Sequence, residues 1–96
     1  MEKKIIVSSG EIFKDLGFSV KKSEKLQIKS HLMAEIETFI EKEKLTQEQA
    51  SKIMGVSRPR ISDVTRGRID KFTIDALVDM LTKAGLHVHV SVEKAA

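Results

Sequence analysis

The sequence predicts a mainly all-α fold, a small helical bundle closed by a short β-strand near its C-terminal end. Three observations predict it. Leu26, Ile28, Leu32, Met33, Ile36, Phe39 and Ile40 recur at three- and four-residue steps, the mark of a long helix with one buried face. Caps and glycines then divide residues 45–85 into three shorter helices. The stretch LHVHVSV, from Leu86 to Val92, alternates strictly, which is the period of a strand.

Taken in order, residues 1–22 carry the weakest pattern. Ile5, Ile6 and Val7 can form a short N-terminal strand, and Ser9 can cap a brief helix over 11–16 that Gly17 ends. Ile12, Phe13 and Leu16 share one side of that helix, and Phe18 and Val20 follow as further apolar anchors. So many large apolar side chains in so irregular a stretch read as a docking segment, for the domain's own flank or for a second protein. The long helix should run from residue 23 or 24 to residue 44, with Glu35, Glu37, Glu41 and Lys42 on its outer side. His31 lies in it as an ordinary surface histidine.

Residues 45–67, LTQEQASKIMGVSRPRISDVTRG, read as two short helices joined by a tight turn. Thr46 is the cap of the first, whose apolar or small residues are Ala50, Ile53 and Met54. Gly55 supplies a position where φ can turn positive and the chain reverse. Val56 plugs the corner and Ser57 caps the second helix. Pro59 sits in its first turn, where a missing N–H costs nothing. Ile61 and Val64 face inward, and Gly67 stops the helix. After a basic connector, Arg68 to Lys71, Thr73 caps the last helix and Phe72 can staple onto Leu77. Ile74, Leu77, Val78 and Leu81 face the core, Asp75 and Lys83 suit the two ends of the helix dipole, and Gly85 stops it. The strand that follows cannot satisfy its hydrogen bonds alone. It needs residues 5–7, the same strand of a second copy, or a foreign sheet. The organisation expected is a docking segment at 1–22, a helical domain at 23–85 and a β-prone tail at 86–96.

Ninety-six residues suit one domain with one small core. The absence of cysteine excludes a disulfide framework and a cysteine-based zinc site. No apolar run is long enough to span a bilayer and no signal peptide is visible, so a cytoplasmic protein without membrane partners is expected. The net charge of +3 says little by itself. Its distribution says more, because residues 45–72 hold six Lys/Arg against three Asp/Glu while the rest of the chain is near balance. All four arginines, Arg58, Arg60, Arg66 and Arg68, lie on or just after the second short helix, whereas the thirteen lysines are mostly elsewhere. Fork-shaped donors gathered on one exposed helix are suited to guanine edges and phosphates. The pair of helices is therefore read as a helix-turn-helix for double-stranded DNA.

The same stretch resembles the lambda-repressor/Cro-like (Xre) family, through Leu45, Thr46, Gln47, Ala50, Met54, Gly55, Val56, Ser57, Ile61, Val64, Gly67 and Arg68. It departs from the family at Ser51, where alanine is usual. Serine is nearly as small, so the close approach of the two helices should survive. The resemblance implies a lambda-repressor-like helix-turn-helix bundle and a phosphate clamp at Gln47. Beyond the motif, DLGF (Asp15 to Phe18), the long first helix, RGRIDKFTIDALVDMLTKAG (Arg66 to Gly85) and the tail are similar to the HigA-type antitoxin branch over about residues 10–92. That resemblance implies the antitoxin of a type II toxin–antitoxin pair, which represses its own operon and neutralises a small basic RelE-like toxin. Residues 1–22 are then the segment that meets the toxin.

On this reading Arg58 pairs bidentately with a guanine, Ser62 touches a base of either type, and Pro59 meets a thymine methyl. Ser57 stands at the turn, while Arg60, Arg66, Arg68 and Lys71 contact or attract phosphates, which position without reading sequence. Asp63 repels phosphate and is better suited to orienting an arginine or accepting from a cytosine amine. One domain spans too few base pairs for useful specificity, so a homodimer on a palindrome is expected, built by the tail or by the stretch holding Ile69 and Phe72. The alternative is a free-standing Xre-family regulator with no toxin partner. An RNA-binding module would need stacking aromatics, and the chain has no Tyr, no Trp and four Phe at core-like positions. An enzyme or metalloprotein built on His87 and His89 would lack ligands. No catalytic residue, metal site or cofactor is expected.

Overall fold

A computed structural model of the chain describes residues 3–7 and 20–94, with side chains from Ser23 to Lys94. In order it shows β1 (Lys3–Val7), α1 (Val20–Lys42), α2 (Gln47–Met54), α3 (Arg58–Thr65), a single 3-10 turn (Ile69–Lys71), α4 (Ile74–Lys83) and β2 (Val88–Val92). The mainly helical bundle with a short C-terminal strand is the fold the sequence predicts. The 11–16 helix, its Ser9 cap and the DLGF stretch lie outside the described residues.

α1 differs from its expected span at both ends. It begins at Val20, upstream of the expected start at 23 or 24, and Ser23 is a fully buried position inside it. Lys21 and Lys22 are good helix formers and nothing before Ser23 breaks the run, so the helix extends upstream. At the other end α1 stops at Lys42, because Lys44 takes the left-handed conformation with φ of 52°. The Lys44 N–H donates to the Glu41 carbonyl at 3.2 Å and the Leu45 N–H to the Ile40 carbonyl at 3.0 Å. These two bonds close a Schellman motif without the glycine that usually marks one.

The core joins Leu32, Met33, Ile36 and Ile40 of α1, Ala50 and Met54 of α2, and Ile61 and Val64 of α3. Phe72 and Leu77, Met80 and Leu81 of α4 complete it. Each such side chain removed from water contributes about 1.5–3 kcal/mol before entropy is charged. α1 packs on α4 and on α3, and α2 packs on α3 and α4. Ile53 is a correction to the sequence reading: it is 40% exposed. The buried stripe of α2 runs through Ala50, Ser51 and Met54 instead, leaving Ile53 turned off the contact with α3 and α4. Ser51, in the position usual for alanine, is buried, and its hydroxyl donates to the Glu48 carbonyl at 2.8 Å. Its polar group is thus satisfied within its own helix.

β1 and β2 form a two-stranded parallel sheet, with Lys3 opposite Val88 and Val7 opposite Val92. Of the three partners open to the tail, the chain's own N-terminal strand takes one edge. A parallel pair requires a long crossover, and here the whole helical domain supplies it. The alternating face is buried only where it begins. Leu86 and Val88 pack against the core, while Val90 and Val92 are 58% and 82% exposed.

Candidate nucleic-acid interface

The motif is held by local signals that fix how α2 and α3 present themselves. Thr46 accepts from the Gln49 N–H at 3.1 Å, and the Gln49 side chain accepts from the Thr46 N–H at 2.9 Å. This is a full capping box, legible in the T-x-x-Q spacing although Gln49 is absent from the residues assigned above. With Gln49 so engaged, Gln47 at the first helical position stays exposed. Gly55 takes φ of 68° and turns the chain into α3.

Ser57 occupies the N-cap position of α3 with extended backbone, but its side chain makes no capping bond. Nor is there an acidic residue in the first turn of α3. The exposed Ser57 hydroxyl is therefore uncommitted at the positive end of the helix dipole, a setting that favours an anion, while the Arg60 N–H already donates to the Ser57 carbonyl at 3.0 Å. Pro59 stands in the first turn as expected.

Arg58, Ser62 and Arg66 follow at steps of four along α3, so they share one side of it. With Gln47, Pro59 and Asp63 they line one open surface depression. Five of the nine residues assigned from sequence thus come together: Gln47, Arg58, Pro59, Ser62 and Arg66. Ser57 stands at the mouth of the same helix. The other three lie apart. Arg68 points its Nε at Asp63 Oδ1, 3.9 Å away, so Asp63 orients an arginine. Lys71 is exposed at the end of the 3-10 turn. Arg60 is turned back on the protein: its Nη1 donates to the Lys71 carbonyl at 2.8 Å, and its guanidinium carbon lies 5.5 Å from the centre of the Phe72 ring. Sequence placed Arg60 among the phosphate contacts, and one of its N–H donors is engaged at the Lys71 carbonyl.

A family model described as a helix-turn-helix domain matches residues 12–93. The chain belongs to this helix-turn-helix family. The match takes in all of the described helical domain together with β2, so the chain is a DNA-binding regulator. A comparison with curated proteins finds no match. Among the described residues no helix is long and apolar enough to cross a membrane. His87 and His89 lie with ring centres 6.2 Å apart, and no group of three or more His, Asp or Glu among the described residues is placed to hold a metal.

Proposed function

We propose that this helix-turn-helix protein is a sequence-specific repressor that binds a palindromic operator as a homodimer. In the finer reading it is the antitoxin of a type II toxin–antitoxin pair. The observation that carries the DNA reading is the Arg58–Ser62–Arg66 stripe on α3, which shares one open depression with Gln47. A helix whose first turn is uncapped and exposed can enter a major groove. Arg58, nearest its tip, then pairs with a guanine, and Ser62 reads one turn further on. Arg66, Gln47, Ser57, Arg68 and Lys71 meet or attract phosphates around them. The homodimer follows from the short span of one such helix and from the two exposed valines of β2.

The antitoxin reading is supported by the resemblance of the layout, over about residues 10–92, to HigA-type antitoxins. It makes a small basic RelE-like toxin the second partner, in the cytoplasm. One observation favours the free-standing regulator instead: β1, part of the expected docking segment, pairs with the chain's own β2. The two readings part on a single experiment. The full chain is coexpressed with the product of the neighbouring gene, purified through a tag on that product, and titrated with the DNA upstream of both genes. Copurification together with operator binding fits the antitoxin. Operator binding with no captured partner leaves the free-standing regulator.

A further inference from the structure

We propose that Arg60 is a positioning residue for DNA binding, which fixes the basic connector after α3 and touches no phosphate itself. The inference rests on the DNA-binding reading of α3 and deepens it. α3 has two working sides. Arg58, Ser62 and Arg66 form one and Arg60 lies on the other, with Asp63 between them and lining the same depression as the first. From Asp63 and Arg60 two tethers reach the connector. Asp63 meets Arg68 at 3.9 Å, and Arg60 meets the Lys71 carbonyl at 2.8 Å across eleven residues of sequence.

The Arg60 tether is the more specific of the two. Its guanidinium lies over Phe72, which is buried at 5% exposure and belongs to the core. A planar fork can stack on a ring and still donate in its own plane, and an ammonium cannot do both. The Arg68 end of the connector is already bonded to α3, Arg68 N–H to the Asp63 carbonyl at 2.9 Å, with Ile69 N–H to the Gly67 carbonyl at 2.8 Å. Arg60 therefore acts on the Lys71 end. The turn of the connector is held by Lys71 N–H to the Arg68 carbonyl at 3.0 Å and Phe72 N–H to the Ile69 carbonyl at 3.4 Å, and Ile69 packs half-buried on the core. Without Arg60 the Lys71 end of the connector loses its side-chain tie to the reading helix.

The test uses the full-length protein and a duplex that the wild type selects from a randomised library. Kd is measured at several salt concentrations, far below each variant's melting midpoint, so that lost stability alone leaves affinity unchanged. The variants are Arg60→Lys, Arg60→Gln, Phe72→Leu and the double Arg60→Lys/Phe72→Leu, with Arg66→Ala as the phosphate reference. The positioning role predicts that Arg60→Lys binds several-fold more weakly although the charge is kept, and that the double variant is no weaker than its worse single parent. It also predicts that Arg60→Gln keeps most of the salt slope, whereas Arg66→Ala flattens it by about 0.9. If Arg60→Lys binds like wild type and Arg60→Gln loses the slope as Arg66→Ala does, Arg60 is a phosphate contact and the proposal falls. It falls equally if both Arg60 variants bind like wild type. A wild type that selects no duplex overturns the DNA reading as well.

Discussion

The side chain of Lys83 lies across Gly55, so closely that a Cβ at position 55 would stand 2.9 Å from the Lys83 ammonium nitrogen and 3.0 Å from its Cδ. The last turn of α4 thus covers the turn of the helix-turn-helix. It also brings a cation to the carbonyl end of α2, where a positive charge is favoured. Two causes therefore oppose a side chain at Gly55, the cover and the φ of 68°. Gly55→Ala should cost about 1–2 kcal/mol, mainly through the left-handed backbone, because the tip of a lysine can swing aside. Urea melts of Gly55→Ala in the wild-type and Lys83→Ala backgrounds separate the two. The loss should be nearly the same in both. A loss that vanishes without Lys83 would make overlap the cause.

Lys44 offers the opposite experiment. It holds φ of 52° in the close of α1, a conformation that a side chain disfavours by roughly 1–2 kcal/mol. Glycine relieves that cost but gives back about 0.5–1 kcal/mol in unfolded-chain entropy. Lys44→Gly should therefore raise stability by about 0.5–1 kcal/mol and leave DNA binding unchanged. A lower urea midpoint would mean that the Lys44 side chain contributes something the backbone argument omits.

Much of the fold and half of the site were legible in the sequence because their causes are local. Thr46, Gly55 and Thr73 announce a start, a turn and a start within four residues of the atoms they bond. Arg58, Ser62 and Arg66 fall on one side of α3 by helical arithmetic alone. What the sequence did not show is non-local or hidden in backbone. Arg60 is spelled like its neighbours, yet its partner is a carbonyl eleven residues away that every residue type possesses. Lys44 closes α1 without glycine, so the boundary moves. The tail's alternation requires some partner strand, and only the three-dimensional path of the chain chooses residues 3–7 for one edge. Ile53 shows the limit of composition: an apolar residue three along from Ala50 reads as core, yet it is 40% exposed.

Within the proposed interface, Arg58 and Arg66 share a stripe but should fail differently. Arg58→Ala removes a bidentate donor to one base and should relax preference at one base pair per half-site, by about 1–3 kcal/mol. Arg66→Ala should weaken binding to all sequences alike and flatten the salt slope by about 0.9. Selection from a randomised duplex library with each variant reads the first effect, and salt titration reads the second. An Arg58→Ala protein that selects the wild-type sequence unchanged would remove Arg58 from direct readout.

For the proposed homodimer, the exposed valines of β2 are the contact to test. β1 fills one edge of β2, and Val90 and Val92 stay 58% and 82% exposed, more apolar surface than a strand tip needs. Consider a two-fold axis through Val90, with the β2 strands of two copies antiparallel. Val90 then faces its own counterpart and Val88 faces the second copy's Val92, so every valine pairs with a valine on one face. A strand that alternates this way is self-complementary, as an isologous contact requires. Val88 is a poor place to test it, because it is half-buried against the core and a charge there would disturb the monomer. Val90→Lys with Val92→Lys is cleaner, since lysines at exposed positions cost the monomer little. The double variant should keep the wild-type melting curve at low concentration, sediment as a monomer, and bind the palindrome at least about tenfold more weakly, with the half-site less affected. Added positive charge acts in the opposite sense on DNA affinity, so a loss cannot come from charge. If sedimentation and operator titration both match wild type, β2 is not the dimer contact. The exposed side of the connector at Asp70 and Lys71 then becomes the one to vary next, since Phe72 is buried in the core.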